Sequence, residues 1–371
     1  MRGKAESQPD FLTVVNLNAV VPADHPLRGI KRRVDTVLRK LSPLFDDLYA
    51  QEGRASIPPE QLLKARVLIA LYSVRSERLF CEQLSYNLLW LWFLDREFRQ
   101  SAFDHSIFAK NYQRVLSADV AKLFFAEIYD LSRQEGWTSD AHFTADGTLI
   151  ESWASLKSFV RKDGADDQKV RDSKDDDPGN PTVNFHGEKR CNDTHHSTTD
   201  PDSVLYRKAK GKEAKLCFGG HVLMENRHGL CADFTLHNPI AQSEPVMALR
   251  QIDEHVELHR GANPKTVGAD KAYHQRAFVT GCRERNVSPH VARKEGVHVS
   301  GLDGRTTTRA GCQTSQRIRK RVEEIFGWVK TVGGLRRTRY LGIERTQAWA
   351  YFVAGTYNLL RLARLDLAKA A

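Results

Sequence analysis

The order of apolar segments between residues 142 and 330 constrains the fold of this chain more than any other feature. In chain order, the spacing of apolar residues predicts a strand, a two-stranded hairpin, and then helices that alternate with single strands. The segments are His142–Ile150, Leu216–Glu225, Cys231–His237, Ser243–Leu258, Thr266–Asp270, His274–Arg285, Val287–Ala292 and Gln316–Lys330. Because strands joined through a helix usually pair in parallel, this order predicts a mixed α/β sheet with helices packed on it.

Three antiparallel strands followed by parallel strands is the order found in RNase H-like domains, and we predict such a domain for residues 136–371. A long polar stretch, residues 155–212, interrupts it and is rich in Asp, Lys, Gly, Ser and Thr. Its length and composition predict a surface insertion or a mobile loop. A last helix, Arg345–Leu365, is expected to close the domain.

Residues 1–135 carry helical patterns alone, and we predict a separate helical domain there. The predicted helices are Leu27–Leu48, a helix starting at Pro58–Pro59, Glu82–Leu94, Ile107–Leu116 with Ser106 as its cap, and Asp119–Gln134. Short helices with basic surfaces suit DNA binding of a helix-turn-helix kind. A plain helical bundle is the alternative.

The charge balance favours a polyanionic partner. The 371-residue chain has a formal net charge of +10 and a pI near 9.3, which points to nucleic acid first and a membrane surface second. The two most apolar runs are shorter than the ~18–20 residues that a membrane-spanning helix needs, so we expect no membrane insertion. Six scattered cysteines without a Cys-x-x-Cys pair are typical of reduced thiols. A bacterial cytoplasmic, nucleoid-associated protein is therefore expected.

The segment Gln316–Lys330 places an acid among cations. On a helix with about 100° per residue, four polar side chains fall within roughly 60° of one another. They are Gln316, Arg319, Glu323 and Lys330. A carboxylate in line with two cations and an amide suits a metal ligand whose neighbours hold phosphates. Glu324 is the alternative acid, but it lies roughly 100° away and has no lysine seven residues later.

Two further acids lie at the ends of strand-like segments. Asp146 and Asp270 each follow an apolar run, where burying a charge is costly unless a cation accompanies it. In an RNase H-like sheet the first and fourth strands are neighbours and the late helix packs across them, so Asp146, Asp270 and Glu323 would converge. Carboxylates suit Mg²⁺, and two such ions about 3.5–4 Å apart can clamp a phosphoryl displacement.

These motifs together resemble bacterial DDE transposases of the insertion-sequence-five family, which is related to the insertion-sequence-four group. The segment Gln316–Lys330 is similar to that family's Tyr-(2)-Arg-(3)-Glu-(6)-Lys motif, with Gln316 standing in the Tyr place. Asp146-Gly-Thr resembles the segment of the first Asp, and Asp270-Lys-Ala-Tyr that of the second. The N-terminal segments that look like the family's helical domain are Val21–Arg28, Ser56–Pro59 and Asp104–Phe108.

The resemblance implies a mechanism and a set of partners. The protein would bind the terminal inverted repeats of its own element, cut to free a 3′-OH, and use that hydroxyl to attack target DNA. Asp146 would bridge two Mg²⁺ ions, for which Mn²⁺ could substitute, with Asp270 and Glu323 as flanking ligands. The expected contacts to double-stranded DNA are Arg319, Lys330, Gln316, Lys271, Arg321, Arg336 and Arg337. Pairing of two ends implies a homodimer.

Two other functions fit the same residues. One is a catalytically inactive or domesticated DNA-binding protein on the same scaffold, and the other is a structure-specific nuclease that uses the same acids without strand transfer. The presence of all three acids, together with Arg319 and Lys330, favours the active transposase.

Overall fold

The N-terminal third of the described chain is helical. The computed structural model describes residues 16–49, 52, 56–97, 103–163, 190–208, 211–302 and 304–370. The helices before residue 135 are α1 (Leu17–Val20), α2 (Pro26–Leu48), α3 (Pro59–Leu71), α4 (Glu77–Leu84), α5 (Leu88–Phe93), α6 (Ser106–Lys110), α7 (Tyr112–Val115) and α8 (Ala118–Gln134). Among the described residues, strands begin only at His142.

Two of the predicted helices are each divided into two. The prediction of one helix over Glu82–Leu94 was wrong, because the side chain of Asn87 accepts a hydrogen bond from the backbone N–H of Trp90 at 3.1 Å and so starts a new helix. The prediction of one helix over Ile107–Leu116 was also wrong, since the helix is interrupted at Asn111, between α6 and α7. Apolar spacing alone does not reveal such a break, because each of the two helices buries apolar side chains of its own.

The C-terminal two thirds form a mixed α/β structure, as predicted. Its strands are β1 (His142–Glu151), β2 (Phe159–Arg161), β3 (His195–Ser197), β4 (Val204–Tyr206), β5 (Lys215–Glu225), β6 (Cys231–His237), β7 (Thr266–Ala269) and β8 (Ser288–Val291). Its helices are α9 (Glu244–Leu258), α10 (Arg276–Glu284), α11 (Gly304–Thr307), α12 (Ala310–Ile318), α13 (Val322–Thr331) and α14 (Ile343–Ala370). None of the helices in the described residues is long and apolar enough to cross a membrane.

The main sheet has the order β4-β5-β1-β7-β8, and β6 also pairs with β5. The strand β1 runs antiparallel to β5 and parallel to β7, and β7 runs parallel to β8. The predicted adjacency of the first strand and the fourth major strand, β1 and β7, is therefore confirmed. The helices α9 and α10 make the crossovers that bring β7 and β8 into parallel register.

The polar stretch over residues 155–212 is attached to the fold at both of its ends. The strands β2 and β3 form a small second sheet, and β4 joins the main sheet through β5. The buried Asp200 accepts hydrogen bonds from Ser152 Oγ at 2.6 Å and from the N–H of Gly342 at 3.2 Å. Residues 164–189 and 209–210, on which part of the insertion prediction falls, lie outside the described residues.

The helix α14 lies between the helical region and the sheet. It packs against α8, α3 and α2 on one side and against β6 on the other. Its middle residues, such as Ala350, Val353 and Ala354, have no exposed surface. A helix that is apolar around its circumference is expected to be buried in this way.

A buried arginine joins α3, α4 and the segment before α14. Arg66 lies 2.7 Å from Glu77 Oε1 and donates to the Tyr340 hydroxyl at 2.7 Å, and its guanidinium lies 4.9 Å from the centre of the Phe108 ring. Burial opposes ionisation of Glu77, but the positive charges of Arg66 and Arg339 outweigh it and lower the pKa of Glu77 to about 2.

We predict that Glu77→Gln destabilises the protein at pH 7 by about 3–5 kcal/mol, because Arg66 is left buried without its charge partner. The folded-state pKa lies below the unfolded one, so this contribution is complete above pH about 4.5 and is lost as the pH falls towards 2. Urea unfolding at pH 7 and pH 3 measures the difference.

The control is Glu82→Gln, an exposed position on the same helix, which should change the free energy of unfolding by less than about 0.5 kcal/mol. Equal effects of the two variants at pH 7 would contradict the assigned role of the Arg66–Glu77 pair.

Candidate active site

The register of two parallel strands sets Asp146 and Asp270 at the same level. The strands β1 and β7 pair from His142 opposite Thr266 to Thr144 opposite Gly268. Extending this register by two residues brings Asp146 opposite Asp270. The backbone pairing itself ends before this level, so Asp146 is held by β5 on its other side, while Asp270 follows the end of β7.

Asp146 lies half-buried between a backbone N–H and a cation. Its Oδ1 accepts a hydrogen bond from the N–H of Gly147 at 2.8 Å, and its Oδ2 lies 3.9 Å from Arg319 Nη1. Burial, with the negative charges of Asp270 and Glu323, raises the pKa of Asp146 to about 6, against the Gly147 N–H and Arg319, which lower it. Asp270 and Glu323 are thus each near enough for their charges to disfavour ionisation of Asp146.

Asp270 is held in a tight turn whose base is fixed by Gln316. The Asp270 carboxylate accepts from the N–H of Ala272 at 2.6 Å and caps a 3₁₀ turn. Gln316 Nε2 donates to the carbonyl oxygen of Ala269 at 3.1 Å and also to that of His290. Gln316, predicted to contact DNA, therefore has its amide hydrogens directed at the ends of β7 and β8 and ties α12 to the strand that precedes Asp270.

The predicted continuous helix over Gln316–Lys330 was wrong at its centre. A 3₁₀ turn, Arg319–Arg321, separates α12 from α13. The turn consists of three adjacent cations, of which the first and last have different partners. Arg319 approaches Asp146, whereas Arg321 donates to the carbonyl of Arg227 at 3.2 Å. The helical-wheel argument assumed uniform rotation and could not reveal this division.

The two rival glutamates of α13 have different neighbours, although both are exposed. The negative charge of Glu323 favours a higher pKa for both Asp146 and Lys330. Glu324 lies 3.5 Å from Arg361 of α14.

The remaining predicted DNA contacts divide into two groups. Lys330 is half-buried beside the acids, and desolvation, with the positive charges of Lys208 and Arg336, lowers its pKa. Lys271 and Arg336 are exposed. Arg337 is exposed as well, but its Nε donates to the carbonyl of Ser152 at 3.1 Å and its Nη2 to that of Trp153 at 2.7 Å. These two donors, like Nη1 of Arg321, therefore bind backbone.

Two residues near the site were missed by the sequence analysis. Glu244, the first residue of α9, lies across Gly147, and a methyl group on that glycine would come within 2.4 Å of Glu244 Oε1. Desolvation and the charges of Asp146 and Asp270 raise the pKa of Glu244. The positive charge of Lys208 favours a lower pKa for both Glu244 and Lys330. A Ser-Glu-Pro helix start gave a local signal for the position of Glu244, whereas Lys208 lies in the polar stretch without one.

The acids suit a hard divalent ion by their chemistry. In the part of the chain that the structure describes, no group of three or more His, Cys, Asp or Glu side chains lies close enough together to hold a metal ion. The predicted donors are nevertheless all carboxylates, the ligands that Mg²⁺ prefers. Burial, with the charges of Asp270 and Glu323, raises the pKa of Asp146 although Arg319 lies beside it, and a divalent cation there would favour the ionised carboxylate.

We predict that Gln316→Leu lowers the free energy of unfolding by about 1–3 kcal/mol, because it leaves the carbonyls of Ala269 and His290 without this donor. The matched control is Gln313→Leu, an exposed position on the same helix, for which less than about 0.5 kcal/mol is expected. Chemical denaturation of both variants tests this, and a neutral Gln316→Leu would contradict the structural role.

Comparisons with known proteins add the following findings. Residues 15–114 match the family model described as Transposase domain (DUF772), and residues 188–359 match the Transposase DDE domain. No curated protein matches the chain. The cryo-EM structure of the piggyBac transposase synaptic complex with hairpin DNA is similar over 93% of this chain and 76% of that chain, with 9% identity and a TM-score of 0.42.

The crystal structure of the Mos1 strand transfer complex is similar over 86% of this chain and 81% of that chain, with 9% identity and a TM-score of 0.24. At such scores neither structural likeness carries an argument. The family matches do, and the DDE match contains Asp270 and Glu323 but begins after Asp146. Two transposase family models thus match this chain in succession, one over its N-terminal helices and one over the segment with two of the three candidate acids, and together they support its being a DDE transposase.

Proposed function

We propose that this protein is a DNA transposase of the insertion-sequence-five family, related to the insertion-sequence-four group, with an RNase H-like catalytic domain. It binds the terminal inverted repeats of its own element, cuts the DNA strand and transfers the freed 3′-OH to target DNA. The observation that carries this proposal is that the segment matched by the Transposase DDE domain supplies Asp270 and Glu323, whose charges act on Asp146 beside Arg319.

The acids Asp146, Asp270 and Glu323 would hold the divalent ions, two Mg²⁺ or Mn²⁺ in their place. When bound, the ions activate a water or hydroxyl nucleophile and neutralise charge on the phosphate. The protein's own contribution would be to hold these carboxylates near one another. The pairing of β1 with β5 extends through Asp146, and Asp270 itself caps the turn after β7, which supports this role.

The cations beside the acids would bind the DNA backbone. Arg319 is held near Asp146, so it can contact a phosphate at the point of cleavage. Lys330 lies where positive charges from Lys208 and Arg336 accumulate, and a phosphate would compensate all three. Such preorganised cations stabilise the charge that develops during phosphoryl transfer. Water, and then the freed 3′-OH, would attack phosphorus directly, and the 3′-oxygen of the cut strand would leave and take a proton. The reaction would therefore require no covalent link between protein and DNA.

We propose further that residues 1–135 form a DNA-binding domain and residues 136–371 the catalytic one. The helical character of the described N-terminal residues supports this division, and α14 joins the two regions by packing against both. The formal net charge of +10 of the whole chain supports a DNA partner. Pairing of two element ends would require two copies of the protein, so we infer a homodimer on DNA. A nucleoid-associated location in a bacterial cytoplasm follows from this function.

We predict that the wild type cleaves a labelled duplex carrying the gene's own flanking DNA, in Mg²⁺ or Mn²⁺, and leaves a 3′-OH at the element end. Asp146→Ala and Glu323→Ala should each reduce cleavage by roughly 100-fold or more, as expected when a preorganised charged group is lost. Glu324→Ala, which removes the neighbouring acid beside Arg361, is the matched control and should cleave normally.

Each alternative function has its own outcome in this assay. Specific binding of the ends without cleavage by the wild type would favour an inactive DNA-binding protein. Cleavage of any duplex regardless of sequence would favour a nuclease. Loss of cleavage in Glu324→Ala but not in Glu323→Ala would reverse the assignment of the third acid.

A further inference from the structure

A chain of buried polar side chains lies directly behind the candidate acids and is not accounted for by the proposed function. Its members are His221 on β5, Gln251 on α9, Asp233 on β6 and Tyr273 at the end of the turn that Asp270 caps. His221, Gln251 and Tyr273 have no exposed surface, and Asp233 is 7% exposed. Buried polar groups are costly unless they are hydrogen-bonded, so the contacts among them must be specific.

The hydrogen bonds run in one direction. Gln251 Nε2 donates to the carbonyl of His221 at 2.8 Å and to Asp233 Oδ2, so its Oε1 faces His221 Nδ1 at 2.5 Å as an acceptor. His221 must then carry its proton on Nδ1, and burial lowers its pKa to about 4, so the ring is neutral at pH 7. Its Nε2, 2.5 Å from the Tyr273 hydroxyl, can only accept. Tyr273 is therefore the donor at the end of the chain.

This chain joins the turn that Asp270 caps to β5, the strand that pairs with the Asp146 strand β1. His221 lies directly across from Gly147, the neighbour of Asp146, in the pairing of β1 with β5. Tyr273 lies three residues after Asp270. The backbone pairing of β1 with β7 ends at Thr144 and Gly268, before the level of the acids. Beyond that point the Tyr273 hydroxyl is a side-chain connection from the Asp270 turn back to the strand opposite Asp146.

The hydrogen bond between Tyr273 and His221 restrains the position of the Tyr273 side chain, beyond what packing of its ring would do. A phenylalanine would fill the same apolar surroundings, which include the ring of Phe278 at 5.2 Å between centroids. The hydroxyl adds a directional contact that is lost if the turn moves, and in a buried site that loss is not compensated by water.

We propose that the hydrogen bond from Tyr273 to His221 holds the Asp270 turn against β5 and so fixes Asp270 relative to Asp146 for divalent-ion binding. Tyr273 is then a positioning residue that acts through Asp270. This inference rests on the proposed function, since it concerns the same metal-binding acids.

The test compares two buried tyrosines. Tyr273→Phe removes the proposed bond, whereas Tyr357→Phe removes a buried hydroxyl that donates to the carbonyl of Gly229 at 3.1 Å, from α14. Calorimetric titration with Mn²⁺ in the absence of DNA should show roughly tenfold or greater weakening for Tyr273→Phe, the scale seen when a partner of a metal ligand is lost, and no change for Tyr357→Phe. His221→Leu, which removes the acceptor of the same bond, should weaken Mn²⁺ binding similarly.

A double-mutant cycle separates positioning from general loosening. If Tyr273 acts through Asp270, then Tyr273→Phe should have no further effect on Mn²⁺ affinity in an Asp270→Asn background. Additive effects, equal effects of the two Tyr→Phe variants, or wild-type affinity in Tyr273→Phe would each overturn the inference, as would a wild type that binds no Mn²⁺. Mn²⁺ binding with the expected pattern but no DNA cleavage would instead overturn only the proposed function.

Discussion

The free edge of β6 is the constraint on which the rest of this structure depends. A strand at the edge of a sheet exposes unpaired backbone groups, and these must be satisfied or covered. Here α14 does both. The amide of Asn358 accepts from the N–H and donates to the carbonyl of Cys231, each at 2.8 Å, and the amide of Gln347 makes the same pair of bonds with Leu236 and Phe234. Two side-chain amides of α14 thus satisfy backbone groups that a further strand would otherwise pair with.

This arrangement explains why the helical region and the sheet share one core. Because α14 is fixed to β6 by its amides, its opposite face is available to α8, α3 and α2, whose buried residues join the same apolar cluster. The helix α13 packs beside it and brings Glu323 to the face of β1 that carries Asp146. The candidate acids thus lie on elements that pack against this shared core, which suits chemistry that needs several carboxylates in fixed positions.

The sequence predicted the sheet well because strand patterns are local. Asp146 and Asp270 are 124 residues apart, and the paired residues of β1 and β7, such as His142 and Thr266, have the same separation, so the two acids fall at one level of the sheet. It failed where the outcome depends on contacts between distant segments. The helical wheel separated Arg319 from Arg321, but it could not reveal the 3₁₀ turn between α12 and α13, nor that Glu244 reaches Gly147. Lys208 lies in a stretch whose polar composition gave no indication that a strand would bring it to the site.

Position 316 shows how a departure from a motif can be read chemically. The resembling family has a tyrosine there, which offers one hydroxyl hydrogen, whereas the glutamine offers two amide hydrogens to two strand-end carbonyls. A search pattern written in residue letters would score this position as a mismatch. A search pattern that instead requires, at this position, a hydrogen-bond donor to the carbonyls at the ends of β7 and β8 would accept Gln316. The same pattern would accept any other side chain that donates to these carbonyls.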